Sequence, residues 1–127
     1  MELKYLGKPF NQPIDELDVI PARDGLSIVA MSSNELTCVC PINDQPDYYH
    51  VRIEYSPNEL CIESKSMKLY LMHFRDMKMF CEDLAVIIRD KVVETLQPKY
   101  CKVSLTQSIR GGIIIEAASV FGHPSVP

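Results

Sequence analysis

The feature that most constrains the fold is an alternation of apolar and polar side chains at residues 49–55, which read YHVRIEY. Val51 and Ile53 alternate there with the charged side chains of Arg52 and Glu54. A period of two predicts a β-strand that has one buried face and one exposed face. A chain with this strand must therefore build a sheet and cover one side of it.

Similar patterns predict two hairpins. The residues SPN that follow the first strand have turn chemistry, so we expect residues 60–64 to return as its partner in a hairpin over 49–64. Further along, strands are predicted at 100–106 and 112–118, and the RGG sequence between them forms a tight turn. The two hairpins together supply four antiparallel strands.

Two helices are predicted between the hairpins. The first begins with Ser64 as its N-cap. The second runs from about residue 80 to residue 96, just before Pro98, which cannot continue a helix. Its predicted apolar stripe consists of Leu84, Ala85, Ile87, Ile88, Val92 and Leu96.

This order of elements predicts an α+β domain, a four-stranded antiparallel sheet with two helices on one face. Residues 1–127 are interpreted as one domain, in which 1–36 form an irregular N-terminal extension with a short strand candidate at 26–31. Residues 37–47 contain two prolines and are expected to form a loop. Because the sheet edges have no cover within the chain, we also expect self-association.

Composition narrows the class of function. A net charge of -4 over 127 residues argues against a dedicated nucleic-acid binder. No apolar run approaches the roughly 20 residues that span a bilayer, and the first residues lack the apolar core of a secretory signal. Five cysteines at irregular spacing do not form a disulfide framework, and their spacing fits zinc poorly. We therefore expect a cytoplasmic protein without a metal site.

Cys40 and Asp47 are the first candidates for chemistry, because they flank the proline-rich loop CPINDQPD. The ordinary interpretation of Cys40 is a free thiol with no role. The alternative is a nucleophile, since a thiolate attacks electrophilic carbon well once its pKa is lowered. Asp47 would then be the proton donor and acceptor.

Lys65 and Lys68 are three residues apart on the first turn of the predicted first helix. A helix N-terminus already presents free N–H groups and positive potential, so two lysines there favour a phosphate site. Solvated surface lysines are the alternative. Arg110, in the last turn, is either an exposed residue or another phosphate ligand.

The second helix opens with Phe80, Cys81, Glu82 and Asp83. Acidic side chains in a first turn suit the helix dipole, which is the structural interpretation. The functional interpretation is that Glu82 accepts hydrogen bonds from the N–H edge of a heterocycle, on whose face Phe80 stacks.

Taken together, CPxxxQPD at 40–47, ESKSxKLY at 63–70, the segment 73–83 and RGG at 110–112 resemble the 7-cyano-7-deazaguanine reductases, with the match running from about residue 37 to 115. The resemblance implies the tunnelling fold and a ring-shaped homo-oligomer of stacked pentamers. It also implies NADPH-dependent reduction of a 7-deazapurine nitrile to an aminomethyl group.

The resemblance assigns roles to matching positions. Cys40 would form a covalent thioimide with the nitrile, and Asp47 would supply and accept protons. The substrate would be bound by Glu82, Phe80, Ser64 and Cys81. The NADPH phosphates would be held by Lys65, Lys68 and Arg110.

The chain departs from the family pattern at Cys81, which replaces histidine, at Ile109, which replaces proline, and at Asp44, which replaces glycine. Two alternatives to the reductase therefore remain. One is an amidine-forming relative that adds ammonia to the same thioimide. The other is a deazapurine-binding protein that does not reduce its ligand.

Overall fold

The computed structural model describes residues 2–124, which form six strands and two helices. The order is β1 Val19–Pro21, β2 Val29–Val39, β3 Pro46–Ser56, β4 Leu60–Ile62, α1 Ser64–Met72, α2 Cys81–Leu96, β5 Tyr100–Arg110 and β6 Ile113–Gly122. The main sheet is antiparallel and four-stranded, in the order β2-β3-β5-β6. Within residues 2–124, no helix combines the length and the apolar character needed to cross a membrane.

The alternation at residues 49–55 determines which face of the sheet is buried. Val51, Ile53 and Tyr55 point into the core with at most 1% of their surface exposed, whereas Arg52 is exposed. On the neighbouring strand β5, Cys101, Val103 and Leu105 are buried on the same face. The α+β prediction, with both helices packed on one face, is confirmed.

The predicted first hairpin over 49–64 is wrong. Strand β4 pairs with β1 in a separate two-stranded sheet, and β2 takes the place beside β3. The backbone N–H of Ile62 donates to the hydroxyl group of Tyr55, a side chain of the buried face. Because β3 lies between β2 and β5, it has no free edge, and β4 pairs with β1 instead.

The strands also extend beyond their predicted ends. Strand β2 runs from Val29 to Val39, so residues 29–31 of the predicted strand at 26–31 and part of the predicted loop at 37–47 belong to it, whereas residues 26–28 lie outside it. Strand β3 begins at Pro46, which leaves only residues 40–45 as the loop. The main sheet therefore begins within the segment 1–36.

The two helices begin and end close to their predicted positions. Helix α1 is capped by Glu63 rather than by Ser64, which corrects the predicted cap. Helix α2 ends at Leu96, and Gln97 then adopts a left-handed conformation with a φ of 47°. The predicted apolar stripe is buried except for Ile87, which is 39% exposed.

Candidate active site

The site begins with a tight loop between β2 and β3. The N–H of Cys40 donates to the carbonyl of Gln45 at 2.8 Å, and the N–H of Asp44 donates to the carbonyl of Cys40 at 3.2 Å. The side chain of Asn43 accepts a hydrogen bond from the Gln45 N–H. These bonds hold Cys40 at one fixed position at the end of the sheet.

The sulfur of Cys40 lies inside this loop, where it accepts hydrogen bonds from the backbone of Ile42 and Asn43 and from the side chain of Arg110. These bonds favour the charged thiolate and lower the pKa of the Cys40 thiol, although desolvation acts in the opposite direction. Burial raises the pKa of the Cys38 thiol, so the two neighbouring cysteines differ in chemistry. A lowered thiol pKa is the property that a cysteine nucleophile requires, so the role of Cys40 stays a prediction with a physical basis.

Asp47 is the second residue of β3, faces Cys38 across the pairing of β2 with β3, and is only 4% exposed. Its Oδ1 atom is 2.5 Å from Nη1 of Arg110. The pairing of β3 with β5 explains the contact, because Tyr49 faces Gln107 and the two chains run antiparallel. Following that register, the end of β5 reaches the start of β3.

Residues 77–79, between the two helices, form hydrogen bonds with the end of β2, next to the Cys40 loop. Val39 donates its N–H to the carbonyl of Met77 at 2.8 Å and accepts from the N–H of Met79 at 3.1 Å. In addition, Nζ of Lys78 is 2.8 Å from Oδ1 of Asp44. The N-terminus of α2 is therefore held next to the Cys40 loop.

An apolar cleft of ≈ 580 Å³ lies between the loop and α2. Pro41 and Phe80 line it, together with Met79 and Ile87. Phe80 is 49% exposed, so its ring is free to stack on a planar ligand. Glu82, in the first turn of α2, is also exposed.

Cys81 lies behind this surface and is only 1% exposed. Burial raises the pKa of its thiol to about 11, and negative charge at Glu82, Cys38 and Asp47 adds to the effect. The Cys81 thiol is therefore neutral near pH 7. It is a core residue under the site, although its involvement with substrate stays a prediction.

The residues of the ESKSMKLY segment form a second cluster. The carboxylate of Glu63 accepts hydrogen bonds from the N–H groups of Lys65 and Ser66, so these donors of α1 are not available to a phosphate. This corrects the expectation of free N–H groups at the helix start. The ammonium group of Lys65 donates to the carbonyl of Lys8, while Ser64 is exposed.

Lys68 and Ser64 line a cleft of ≈ 340 Å³ between α1 and β2, which also includes Ser33. Ser33 precedes Cys40 by seven positions and lies well inside β2. At the rise of an extended strand, this corresponds to a separation of roughly 20 Å. The structure therefore brings together Cys40, Asp47, Arg110 and Phe80, and it leaves Ser64, Lys65 and Lys68 apart from them within one chain.

Comparisons with known proteins identify the family of this chain. A family model described as QueF-like protein matches residues 46–124. A relative from Frankia casuarinae, named NADPH-dependent 7-cyano-7-deazaguanine reductase, is 39% identical over 121 residues, which cover 95% of this chain and 97% of the relative. The chain belongs to the QueF-like protein family.

Two further comparisons extend this assignment. A relative from Syntrophus aciditrophicus with the same name is 39% identical over 115 residues, covering 89% of this QueF-like chain and 82% of the relative. The crystal structure of the archaeosine synthase QueF-Like in the apo form superposes with a TM-score of 0.72 at 29% identity. The superposition covers 80% of this chain and 97% of the chain in that structure.

The structure explains one departure from the family pattern. Asp44 has a φ of 60°, a left-handed conformation in which glycine is favoured. Aspartate is among the few other residues that tolerate it. The pairing of Asp44 with Lys78 also places a cation beside the charge that the substitution introduces.

Sequence reasoning missed some contributors to this QueF-like site. The N–H groups of Ile42 and Asn43 were not anticipated, although a proline-bounded turn rich in Asn and Asp is a signal for such donors. Lys78 and Glu63 were missed because their roles depend on the tertiary position of their partners. Within residues 2–124, no group of three or more His, Cys, Asp or Glu side chains is arranged to hold a metal ion.

Proposed function

We propose that this protein reduces the nitrile of 7-cyano-7-deazaguanine to 7-aminomethyl-7-deazaguanine with NADPH. The observation that carries the proposal is that Arg110 contacts both the Cys40 thiol, whose pKa is lowered, and the buried carboxylate of Asp47. Both lie in a chain that is 39% identical to a relative named for this reaction.

In this proposal Cys40 attacks the nitrile carbon and forms a covalent thioimide, and Asp47 transfers the protons. Phe80 stacks on the deazapurine in the cleft beside Pro41, and Glu82 accepts hydrogen bonds from its N–H edge. Cys81 supports the pocket from below, since it is buried. Ser64 belongs to the other cluster, so we assign its substrate contact to a neighbouring subunit.

The chemistry of the second cluster fits NADPH. Lys65 and Lys68 place two cations on one turn of α1, and Lys68 lines the adjoining cleft, so the pair suits the phosphates of the cofactor. The family resemblance also implies Arg110 as a phosphate ligand, but within one chain that side chain is already paired with Asp47. NADPH, when bound, supplies hydride to the carbon held by Cys40.

The distance between Cys40 and the cluster of Lys65 and Lys68 within one chain is the reason to propose self-association. The cofactor cluster of one chain lies roughly 20 Å along β2 from its own Cys40, so we propose that neighbours complete each other's sites. Strands β2 and β6 are the edges of the sheet, and Ile113 and Ile114 on β6 are 65% and 59% exposed. Pairing of these edges would form the ring of stacked pentamers that the resemblance implies.

The cysteines bear on the cellular location. All five, Cys38, Cys40, Cys61, Cys81 and Cys101, are free thiols. Free thiols persist in a reducing compartment, which supports a cytoplasmic location.

Formation of an amidine is the second candidate. The superposed archaeosine synthase at 29% identity favours it, whereas the relatives named reductases are 39% identical over more of the chain. Intact Lys65 and Lys68 favour the reductase, because ammonia addition needs no cofactor phosphates. Binding of a deazapurine without turnover is the remaining alternative.

The deciding experiment mixes purified protein, the nitrile and NADPH, and follows absorbance of NADPH together with intact protein mass. The reductase consumes NADPH and yields the amine, and Cys40→Ala loses both the adduct and the oxidation. An adduct without NADPH oxidation, converted to an amidine by ammonia, would establish the second candidate. An adduct that neither NADPH nor ammonia converts further would identify a protein that binds the deazapurine without turnover.

A further inference from the structure

Arg110 has two partners within its own chain, and both are candidates for chemistry. Its Nη1 atom is 2.5 Å from Oδ1 of Asp47, and its guanidinium also forms a hydrogen bond with the sulfur of Cys40. The side chain is 35% exposed, while that of Asp47 is almost fully buried. A guanidinium carries five N–H donors in a planar fork, so one group can serve both partners.

We propose that Arg110 is the counter-ion shared by the nucleophile and the acid, stabilising the negative charge whichever of Cys40 and Asp47 carries it. The proposal rests on the proposed function for the reaction itself. The effect of Arg110 on Cys40 is testable without substrate or cofactor.

Because Arg110 contacts both Cys40 and Asp47, the addition step needs only one proton, the one that the Cys40 thiol carries. The Cys40 thiol gives its proton to the Asp47 carboxylate, and Arg110 then faces the thiolate. The thiolate forms an S–C bond with the nitrile carbon, while one π bond of the nitrile breaks and its electron pair moves to nitrogen. That nitrogen takes the proton from Asp47, which gives a neutral thioimide and restores the carboxylate that Arg110 binds.

The position of Arg110 favours this role over that of a free surface residue. A buried carboxylate without a partner is costly, and Arg110 is the only cation with a hydrogen bond or ion pair to Asp47 among residues 2–124. The pairing of β3 with β5 places the Arg110 side chain next to Asp47. Lysine would supply a single ammonium group, which cannot present a planar fork to both partners.

This role differs from that of a phosphate ligand. A guanidinium 2.5 Å from Asp47 would have to give up that contact to bind the cofactor. Lys65 and Lys68 lie elsewhere, on α1. Loss of Arg110 should therefore slow the formation of the adduct, whereas loss of either lysine should not.

The test measures alkylation of Cys40 by iodoacetamide from pH 5 to 10, followed by peptide mass spectrometry. In Arg110→Gln the thiolate loses a stabilising cation, so its pKa rises. A rise of one unit lowers the thiolate fraction about tenfold, and we expect alkylation at pH 7 to slow on the order of tenfold. At high pH the variant should match or exceed the wild-type rate, because a more basic thiolate is the better nucleophile.

Arg52→Gln is the matched control. It makes the same change of charge on β3, but Arg52 pairs with Glu54 at 3.2 Å and lies on the exposed face of the sheet. Its alkylation profile should coincide with that of the wild type. Arg110→Lys should fall between the wild type and Arg110→Gln, and it provides the comparison if Arg110→Gln does not fold.

An unchanged pH profile in the folded Arg110 variants would overturn the proposal. A second comparison uses Asp47→Asn, in which the contact between Arg110 and the sulfur can persist. If Arg110→Gln shifts the profile in this background as well, Arg110 acts on Cys40 directly; if the shift disappears, the shared role is wrong. Since no nitrile or NADPH is present, this outcome is independent of whether the protein is a reductase.

Discussion

The carboxylate of Glu63 accepts a hydrogen bond from the backbone N–H of Ser66 at 2.8 Å, and its other oxygen accepts from the N–H of Lys65 at 2.7 Å. Glu63 is only 4% exposed. The first turn of α1 is therefore held by a buried acid. The same turn carries the two lysines proposed to bind the cofactor, so the cap also positions that cluster.

Loss of this cap should destabilise the protein. Glu63→Ala leaves two N–H groups without their acceptor, and removal of an N-cap typically costs about 1–2 kcal/mol. Thermal unfolding at fixed protein concentration measures the effect. Glu59→Ala is the matched control, since it makes the same substitution at an exposed position outside the helix. Equal losses in both variants would contradict the assignment of the cap.

Loss of Lys65 or Lys68 should weaken NADPH binding without slowing formation of the adduct. Lys65→Ala or Lys68→Ala should raise the KM for NADPH about tenfold or more, because a charge-assisted hydrogen bond to phosphate contributes about 1.5–3 kcal/mol. The thioimide mass should form at the wild-type rate. Lys99→Ala, at an exposed position between α2 and β5, is the control. Loss of the adduct would give the lysines a different role.

Replacement of Cys81 should affect stability more than nucleophilic attack. Its thiol is neutral until the pH approaches about 11, so Cys81→Ala should leave the pH profile of adduct formation unchanged below about pH 10. Because the site is buried, the change should cost on the order of 1 kcal/mol. Cys81→His restores the residue of the family pattern and should keep or raise turnover. An adduct lost in Cys81→Ala but retained in Cys40→Ala would reverse the two roles.

A charge on the exposed edge of the sheet should disrupt assembly. Ile114 is 59% exposed on β6, and Ile114→Lys would place an ammonium group in the proposed contact between subunits. Light scattering should show a large oligomer for the wild type and smaller species for this variant. Gln12→Lys adds the same charge at an exposed position outside the strands and should assemble normally. A wild-type monomer at active concentrations would rule out the ring.

The sequence by itself determined the elements whose signals are local. The alternation around Val51 and Ile53 predicted β3 and its buried face, and Pro98 predicted where α2 ends. The family motifs identified Cys40 and Asp47 as candidates for chemistry. The predictions of β3 and of the end of α2 are confirmed, because side-chain period and proline act between residues that are close in the chain.

Only the tertiary structure decided which distant groups meet. Strand β4 failed to pair with β3 because both edges of β3 were already occupied, a fact that no local pattern contains. Likewise, Arg110 and Asp47 are 63 positions apart, and their contact depends on the register between β3 and β5. A shift of register by one residue would turn every side chain to the other face. The lowered pKa of Cys40, in part caused by that arginine, is therefore a property of the folded sheet rather than of the loop sequence.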